Sequence, residues 1–211
     1  MRFQQNMGNI HFRTRGRPAG KSNPAYPLND NQVRSLFGVC VGKHGLRNRA
    51  ILAFCFHSGA RIGTVADLKV EQVVDSAGKV KPSYVVHSSN EKSKRTHRYY
   101  LTKEGRSIIQ DYVNQYEMIN GNPLFKSQKG KGPINKNSLV RLVSRLLRQA
   151  GIEDNSSHCG RKTFATKMHF THKVPIQVLS KWLNHASISQ TEKYVVGTLE
   201  EQNDIMASFT Y

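Results

Sequence analysis

Seven successive residues, Ala50-Ile51-Leu52-Ala53-Phe54-Cys55-Phe56, are apolar at every position. A helix that is apolar on all sides cannot lie on a surface and has to be surrounded. Whatever this chain forms must wrap other elements around that segment. The run follows Gly45 and closes at Ser58-Gly59, glycine being a frequent helix terminator. Arg61 then stands just past a buried helix, on a well-supported turn.

The rest of the chain offers that wrapping. Asn29 with Gln32 three residues later is a capping-box pattern, and Val33, Leu36, Phe37 and Cys40 fall on one helical face. A short helix is expected around Thr64 to Leu68. Residues 72–101 read as a small β-region. Asp75 to Gly78 is a turn, and Ser83 to Val86 and His97 to Leu101 are strand-like. Between them Ser88 to Thr96 is polar and basic, a hairpin tip. From Thr102 onward helices are expected. Ile108, Ile109, Tyr112 and Val113 give one face. Leu139, Leu142, Val143, Leu146 and Leu147 give a stripe with Arg141, Arg145 and Arg148 off it. Ser157 is a candidate cap for a helix carrying Arg161 and Phe164, and Pro175 starts one that includes Trp182. Further helices are expected to hold Tyr194 and Ile205 to Phe209. The expected fold is mainly α with a small antiparallel β-sheet.

The chain has 211 residues, with Lys+Arg 32 against Asp+Glu 14, a formal charge of +18. That length suits one domain, or one domain plus a tail. The surplus favours a polyanion, nucleic acid first, although an RNA-binding protein would show the same balance. Residues 1–26 hold Arg2, Arg13, Arg15, Arg17 and Lys21 and no acid. They read as a basic, flexible arm, either a solubilising tail or a phosphate-following segment. Arg15-Gly16-Arg17-Pro18 resembles the core of an AT-hook, a minor-groove element. The folded domain is expected to span 27–211. Cys40, Cys55 and Cys159 are odd in number and form no Cys-x-x-Cys, which argues against a disulfide framework or zinc ribbon and for a reducing cytoplasm. No apolar run is long enough to span a bilayer, and no signal-peptide h-region is seen.

Six polar residues carry the chemistry: Arg61, Lys94, His158, Arg161, His185 and Tyr194. Arginines neutralise a phosphate, a lysine and histidines move protons, and a tyrosine attacks phosphorus. The spacing His158-x-x-Arg161 is weak by itself, since His44-Gly45-Leu46-Arg47 repeats it. The context is specific. His158-Cys-Gly-Arg161-Lys-Thr163-Phe164-Ala165-Thr166 resembles the His-x-x-Arg-x-Thr-Phe-Ala-Thr box of tyrosine recombinases, the phage-type integrases. Leu183-Asn184-His185-Ala186-Ser187, with Thr191 and Tyr194 following, is similar to that family's Leu-Gly-His-Ser segment, whose nucleophilic tyrosine lies nine residues after the histidine. Ser58-Gly59-Ala60-Arg61-Ile62, with Leu68 following, looks like its Thr-Gly-x-Arg-x-Ser-Glu-Leu box.

The resemblance implies the family's catalytic-domain fold and site-specific DNA strand exchange without metal, ATP or other cofactor. It makes Tyr194 the nucleophile and Arg61 and Arg161 the holders of the non-bridging oxygens. His158 would help remove the tyrosine proton and His185 would hydrogen-bond the phosphate. Lys94, eight residues before Thr102 as the family counts, would protonate the departing 5′-oxygen, with Lys92 in reserve. The implied partners are double-stranded DNA carrying recombination sites, a homotetramer of the chain and accessory DNA-bending proteins, with no membrane. Arg13, Arg15, Arg17, Lys92, Arg95, Arg141 and Arg145 are the expected DNA contacts. Ordinary readings cover other residues: His169 and His172 as surface histidines, Cys159 as a small packed residue, Trp182 as core. Segment 199–209 would dock on a neighbour or pack on its own domain.

Three departures from the family pattern stand out. Thr64 replaces an acid, Gly160 a leucine and Asn184 a glycine. With only the arm ahead of the expected domain, the chain resembles a minimal form such as the fimbrial phase-switch invertases. A mobile-element integrase or a catalytic fragment would look the same. A type IB topoisomerase or a catalytically silent DNA-binding regulator are the rival readings.

Overall fold

A computed structural model describes residues 25–87, 96–127, 130, 132–195 and 207. Among them the chain forms helices α1 (Asp30–Gly38), α2 (Gly45–Ser58), α3 (Ile62–Ala66) and α4 (Val70–Val73), then strands β1 (Ser83–His87) and β2 (Thr96–Tyr100). Helices α5 (Lys103–Gln115), α6 (Lys136–Gln149), α7 (Cys159–Phe170), α8 (Ile176–Trp182) and α9 (Ile188–Glu192) follow. The two strands make one antiparallel pair. The fold is therefore mainly α with a small antiparallel sheet, as the patterning predicts. No described helix is long and apolar enough to cross a membrane.

Helix α2 lies at the centre, and Ala50 through Phe54 have no accessible surface. Helices α5 and α7 pack along it. The α1 capping box forms as expected, with Asn29 and Gln32 bonded reciprocally, and Leu36 and Phe37 turn inward. The α6 stripe Leu139, Leu142, Val143, Leu146 and Leu147 is buried, leaving Arg141 and Arg145 exposed.

The sheet register pairs Tyr84 with Tyr99 on the core side. Their rings stack with centroids 5.2 Å apart. The Tyr84 hydroxyl lies 2.9 Å from Ser58 Oγ, and Phe54 meets the Tyr84 ring edge-on at 5.4 Å. These contacts fasten the sheet to the C-terminal end of α2, one residue before Gly59.

A second, smaller cluster joins α7 to α8. Phe164, Ala165, Leu179 and Leu183 are buried in it, with Trp182, Tyr194 and Val195 packed at its margin. Trp182 is thus half-buried rather than core, tilted against the exposed Tyr100. Two further expectations fail here. His158, not Ser157, is the N-cap of α7, with no side-chain cap bond. Tyr194 lies beyond the end of α9, in a turn closed by its N–H on Thr191 O at 2.8 Å. The segment 205–209 lies outside the described residues except Ala207.

Two glycines set how closely the layers approach. Gly59 ends α2 in the left-handed conformation, φ 64°. A Cβ there would meet Phe164 at 2.7 Å and Leu183 at 2.8 Å. Gly160 lets α7 close on α2, where a Cβ would come within 2.7 Å of Phe56 and 2.9 Å of Cys55 Cβ. The leucine usual at this position has no room because Phe56 already fills the space. Gly160→Ala should therefore lower unfolding stability by about 1–3 kcal/mol, the scale of overpacking, and Phe56→Leu should recover part of it. Chemical denaturation of the single and double variants measures both. Additive losses would show that the two positions do not compete for space.

Candidate active site

The C-terminal end of α8 organises the site. The last carbonyls of a helix lack intrahelical partners and carry the negative end of its dipole. Here three consecutive carbonyls accept from three different elements. Trp182 O accepts from His97 Nε2 of β2 at 2.9 Å. Leu183 O accepts from Arg161 of α7. Asn184 O accepts from Arg61, the N-cap of α3, at 3.3 Å. Asn184 itself takes φ 50°, a left-handed position that asparagine tolerates better than most residues. That accounts for asparagine where the family pattern has glycine.

Arg161 is 1% exposed. Its other terminal nitrogen donates to Gly59 O, the C-cap carbonyl of α2. The guanidinium is therefore clamped between the ends of two helices. Burial, then the neighbouring Arg61 charge, lowers its pKa to about 10, so it stays charged at neutral pH. Among the described residues its buried Nε finds no hydrogen-bond partner.

Tyr194 faces Arg161 across its ring, with the guanidinium carbon 5.6 Å from the ring centroid. The His185 ring meets Tyr194 edge-on at 4.8 Å. His185 Nδ1 lies 2.8 Å from Thr191 Oγ1, and its backbone N–H bonds to Ser180 O at 3.0 Å. Thr191, fully buried, thus holds the imidazole. Thr166 donates to Tyr194 O at 3.2 Å. Loss of hydration, followed by the charges of Arg161 and Arg61, pushes His185 down to about 4. His158 is surface-accessible at the start of α7. Protein on its inner side thins its hydration, and Arg161, Arg61, Lys136 and Lys162 add repulsion, so its pKa also falls.

The structure thus brings together Arg61, His158, Arg161, His185 and Tyr194. Lys94 lies outside the described residues, as do Lys92, Arg95, Arg13, Arg15 and Arg17. The strands that flank the Lys94 segment are described, and His97, the second residue of β2 after that segment, ties the sheet to α8. Cys159 is fully buried, with its thiol pushed up to about 12 by burial. His169 is half-buried, its Nδ1 3.0 Å from Val174 O. Among the described residues no group of three or more His, Cys, Asp or Glu gathers in metal-binding reach. Sequence reasoning missed His97, Lys136 and Lys162. Lys136 lays its stem along Gly63, its Cδ 3.4 Å from where a Cβ would stand, and its charge reaches His158.

Residues 27–200 match the phage integrase family. The chain belongs to that family, and its fold is that of a tyrosine recombinase catalytic domain. It is 27% identical over 171 residues to a tyrosine recombinase of Agathobacter rectalis, covering 78% of this chain and 52% of that protein. It is 30% identical over 173 residues to transposase A of transposon Tn554 from Staphylococcus aureus, covering 78% and 46%. The chain spans about half the length of these relatives. Its fold is similar to the crystal structure of XerA recombinase, with TM-score 0.74, 21% identity and coverage of 93% of this chain and 68% of that one. It is also similar to XerH recombinase bound to palindromic difH substrate, a post-cleavage complex, with TM-score 0.66, 18% identity and coverage of 90% and 54%.

The His185 environment has a pH consequence. Its folded pKa, about 4, lies below the ordinary 6.5. Between those values the unfolded chain takes up a proton that the folded chain refuses. This group's contribution to stability therefore falls as pH drops through that window and levels off below it. The His185 ring resonances, followed by NMR, should titrate near pH 4, and stability should decline on acidification less steeply in His185→Gln. A ring titrating near 6.5 would contradict the site as described.

Proposed function

We propose that the chain is a site-specific DNA recombinase that cuts and rejoins strands through a 3′-phosphotyrosine, without metal or ATP. The observation that carries this reading is the Tyr194 phenol packed on the buried Arg161, with Arg61 held from the same turn of chain. Tyr194 Oη attacks the scissile phosphorus and the bond to the 5′-oxygen breaks. The phosphodiester's energy is kept in the new bond, and a 5′-hydroxyl reverses the step on rejoining. Arg61 and Arg161 hold the non-bridging oxygens, where planar guanidinium forks suit a phosphate. His158, its pKa lowered, is a neutral acceptor for the Tyr194 proton. His185, neutral and accepting from Thr191 at Nδ1, keeps Nε2–H as a donor to the phosphate. Lys94 protonates the departing 5′-oxygen.

The partner is double-stranded DNA bearing recombination sites, held by the exposed Arg141 and Arg145 of α6 and by Lys92, Arg95 and the arm residues Arg13, Arg15 and Arg17. Four copies of the chain act on two sites, with DNA-bending proteins assisting, on the nucleoid of a prokaryotic or virus-infected cell. The +18 charge and the DNA complex of XerH support the DNA partner.

Tyr194→Phe should keep DNA binding and abolish covalent linkage. Incubation with a nicked site in excess EDTA, followed by denaturing electrophoresis, measures the adduct. An adduct that persists in Tyr194→Phe would remove Tyr194 from the mechanism.

Lys94, and not Lys92, should be the general acid. A bridging sulfur in place of the 5′-oxygen leaves with little protonation. Lys94→Ala should regain near wild-type cleavage on that substrate, and Lys92→Ala should show no selective rescue. The reverse pattern would transfer the role to Lys92.

A further inference from the structure

Lys162 follows Arg161 on α7 and has no part in the scheme above. Its side chain is half-buried, and its Nζ lies over the Tyr194 ring, 5.6 Å from the centroid. Arg161 stands at the same distance from the same ring. Consecutive helical residues leave the axis about 100° apart, so a ring reached by both spans the space between them. Among the described residues no carboxylate pairs with Lys162. Loss of hydration lowers its pKa. A lysine free to extend into water keeps its ammonium hydrated, whereas this one spends it on an aromatic face.

We infer that Lys162 is a positioning residue for the nucleophile: its ammonium, held over the Tyr194 ring, favours the negative charge that the phenol acquires as Oη attacks phosphorus. An aromatic face is already negative, and ionisation of a phenol spreads more charge into the ring. The cation therefore gains more from the reacting phenolate than from the resting phenol, which is the condition for accelerating a step. Lys162 transfers no proton; the Oη proton leaves to His158. Arg161 and His185 also face Tyr194. Arg61 and Lys136 act with Lys162 on His158. All of these groups remain in variants of Lys162; because Lys162 also repels the His158 proton, the comparison that isolates its effect on Tyr194 is nitration, which needs no protein base.

The inference rests on Tyr194 being the nucleophile, and two measurements separate the two ideas. Tetranitromethane nitrates tyrosine through its phenolate, so the nitration rate of Tyr194, read by peptide mass, reports phenolate character without any need for cleavage. Tyr26, 56% exposed, is the internal reference. In Lys162→Gln, Tyr194 nitration should slow about tenfold relative to Tyr26, the scale of a partly desolvated cation–π contact. Lys162→Arg, which keeps the charge, should stay near wild type. Single-turnover cleavage at saturating DNA should slow by a similar factor in Lys162→Gln. The deficit should narrow as pH is raised, and a bridging sulfur should not relieve it. Equal or faster Tyr194 nitration in Lys162→Gln would overturn the inference. Weaker DNA binding with unchanged cleavage at saturation would also overturn it, leaving Lys162 a phosphate contact. Persistence of the covalent adduct in Tyr194→Phe would instead bring down the nucleophile assignment.

Discussion

The burial of Arg161 is the constraint on which the rest of the structure depends. A guanidinium taken out of water is costly unless every donor finds a strong acceptor. Among the described residues no carboxylate supplies one. The chain instead brings the C-terminal ends of α2 and α8 to the same point, so that Gly59 O and Leu183 O both face the cation. Two helix dipoles favour a positive charge there, where a carboxylate would cancel the charge that a phosphate needs. That solution dictates much else. Gly59 must turn left-handed so that α2 stops in time, and Phe164 and Leu183 must close over it.

The sequence departures make sense in the same frame. Gly160 yields to Phe56, a size exchange across the α2–α7 contact. Asn184 occupies a left-handed position that places its own carbonyl toward Arg61. Thr64 is different. No described contact explains threonine there; the stem of Lys136 lies against the preceding Gly63. Burial first, then Arg161, Arg61 and Lys136, makes His158 hold its proton less firmly.

Much of this was legible from local pattern. The all-apolar stretch of α2, the Asn29–Gln32 box and the α6 stripe each encode their burial within a few residues. The strand pair around a basic tip was legible for the same reason. What was not legible depends on contacts between residues far apart in the chain. Trp182 shows no periodicity that would distinguish core from margin. Tyr194 looked helical because α9 ends only two residues earlier. Ser157 has the chemistry of a cap but lies one residue outside the position that needs it. His97, Lys136 and Lys162 are ordinary polar residues until β2, α6 and α7 converge. The residues of the candidate site were readable through their boxes; the carbonyls that hold them were not, because a backbone oxygen leaves no trace in a sequence.

Three neighbouring carbonyls at the end of α8 each hold a side chain from a different part of the molecule. If the turn after Trp182 rotates, His97, Arg161 and Arg61 each lose a bond to it, and Arg161 keeps only Gly59 O. The segment that carries His185 and Tyr194 leaves from that same turn. Such a joint behaves like a latch with several tongues on one bar. One rearrangement at that turn would reach all three side chains. On the proposed function, that one turn of backbone is the point from which both arginines of the site are held.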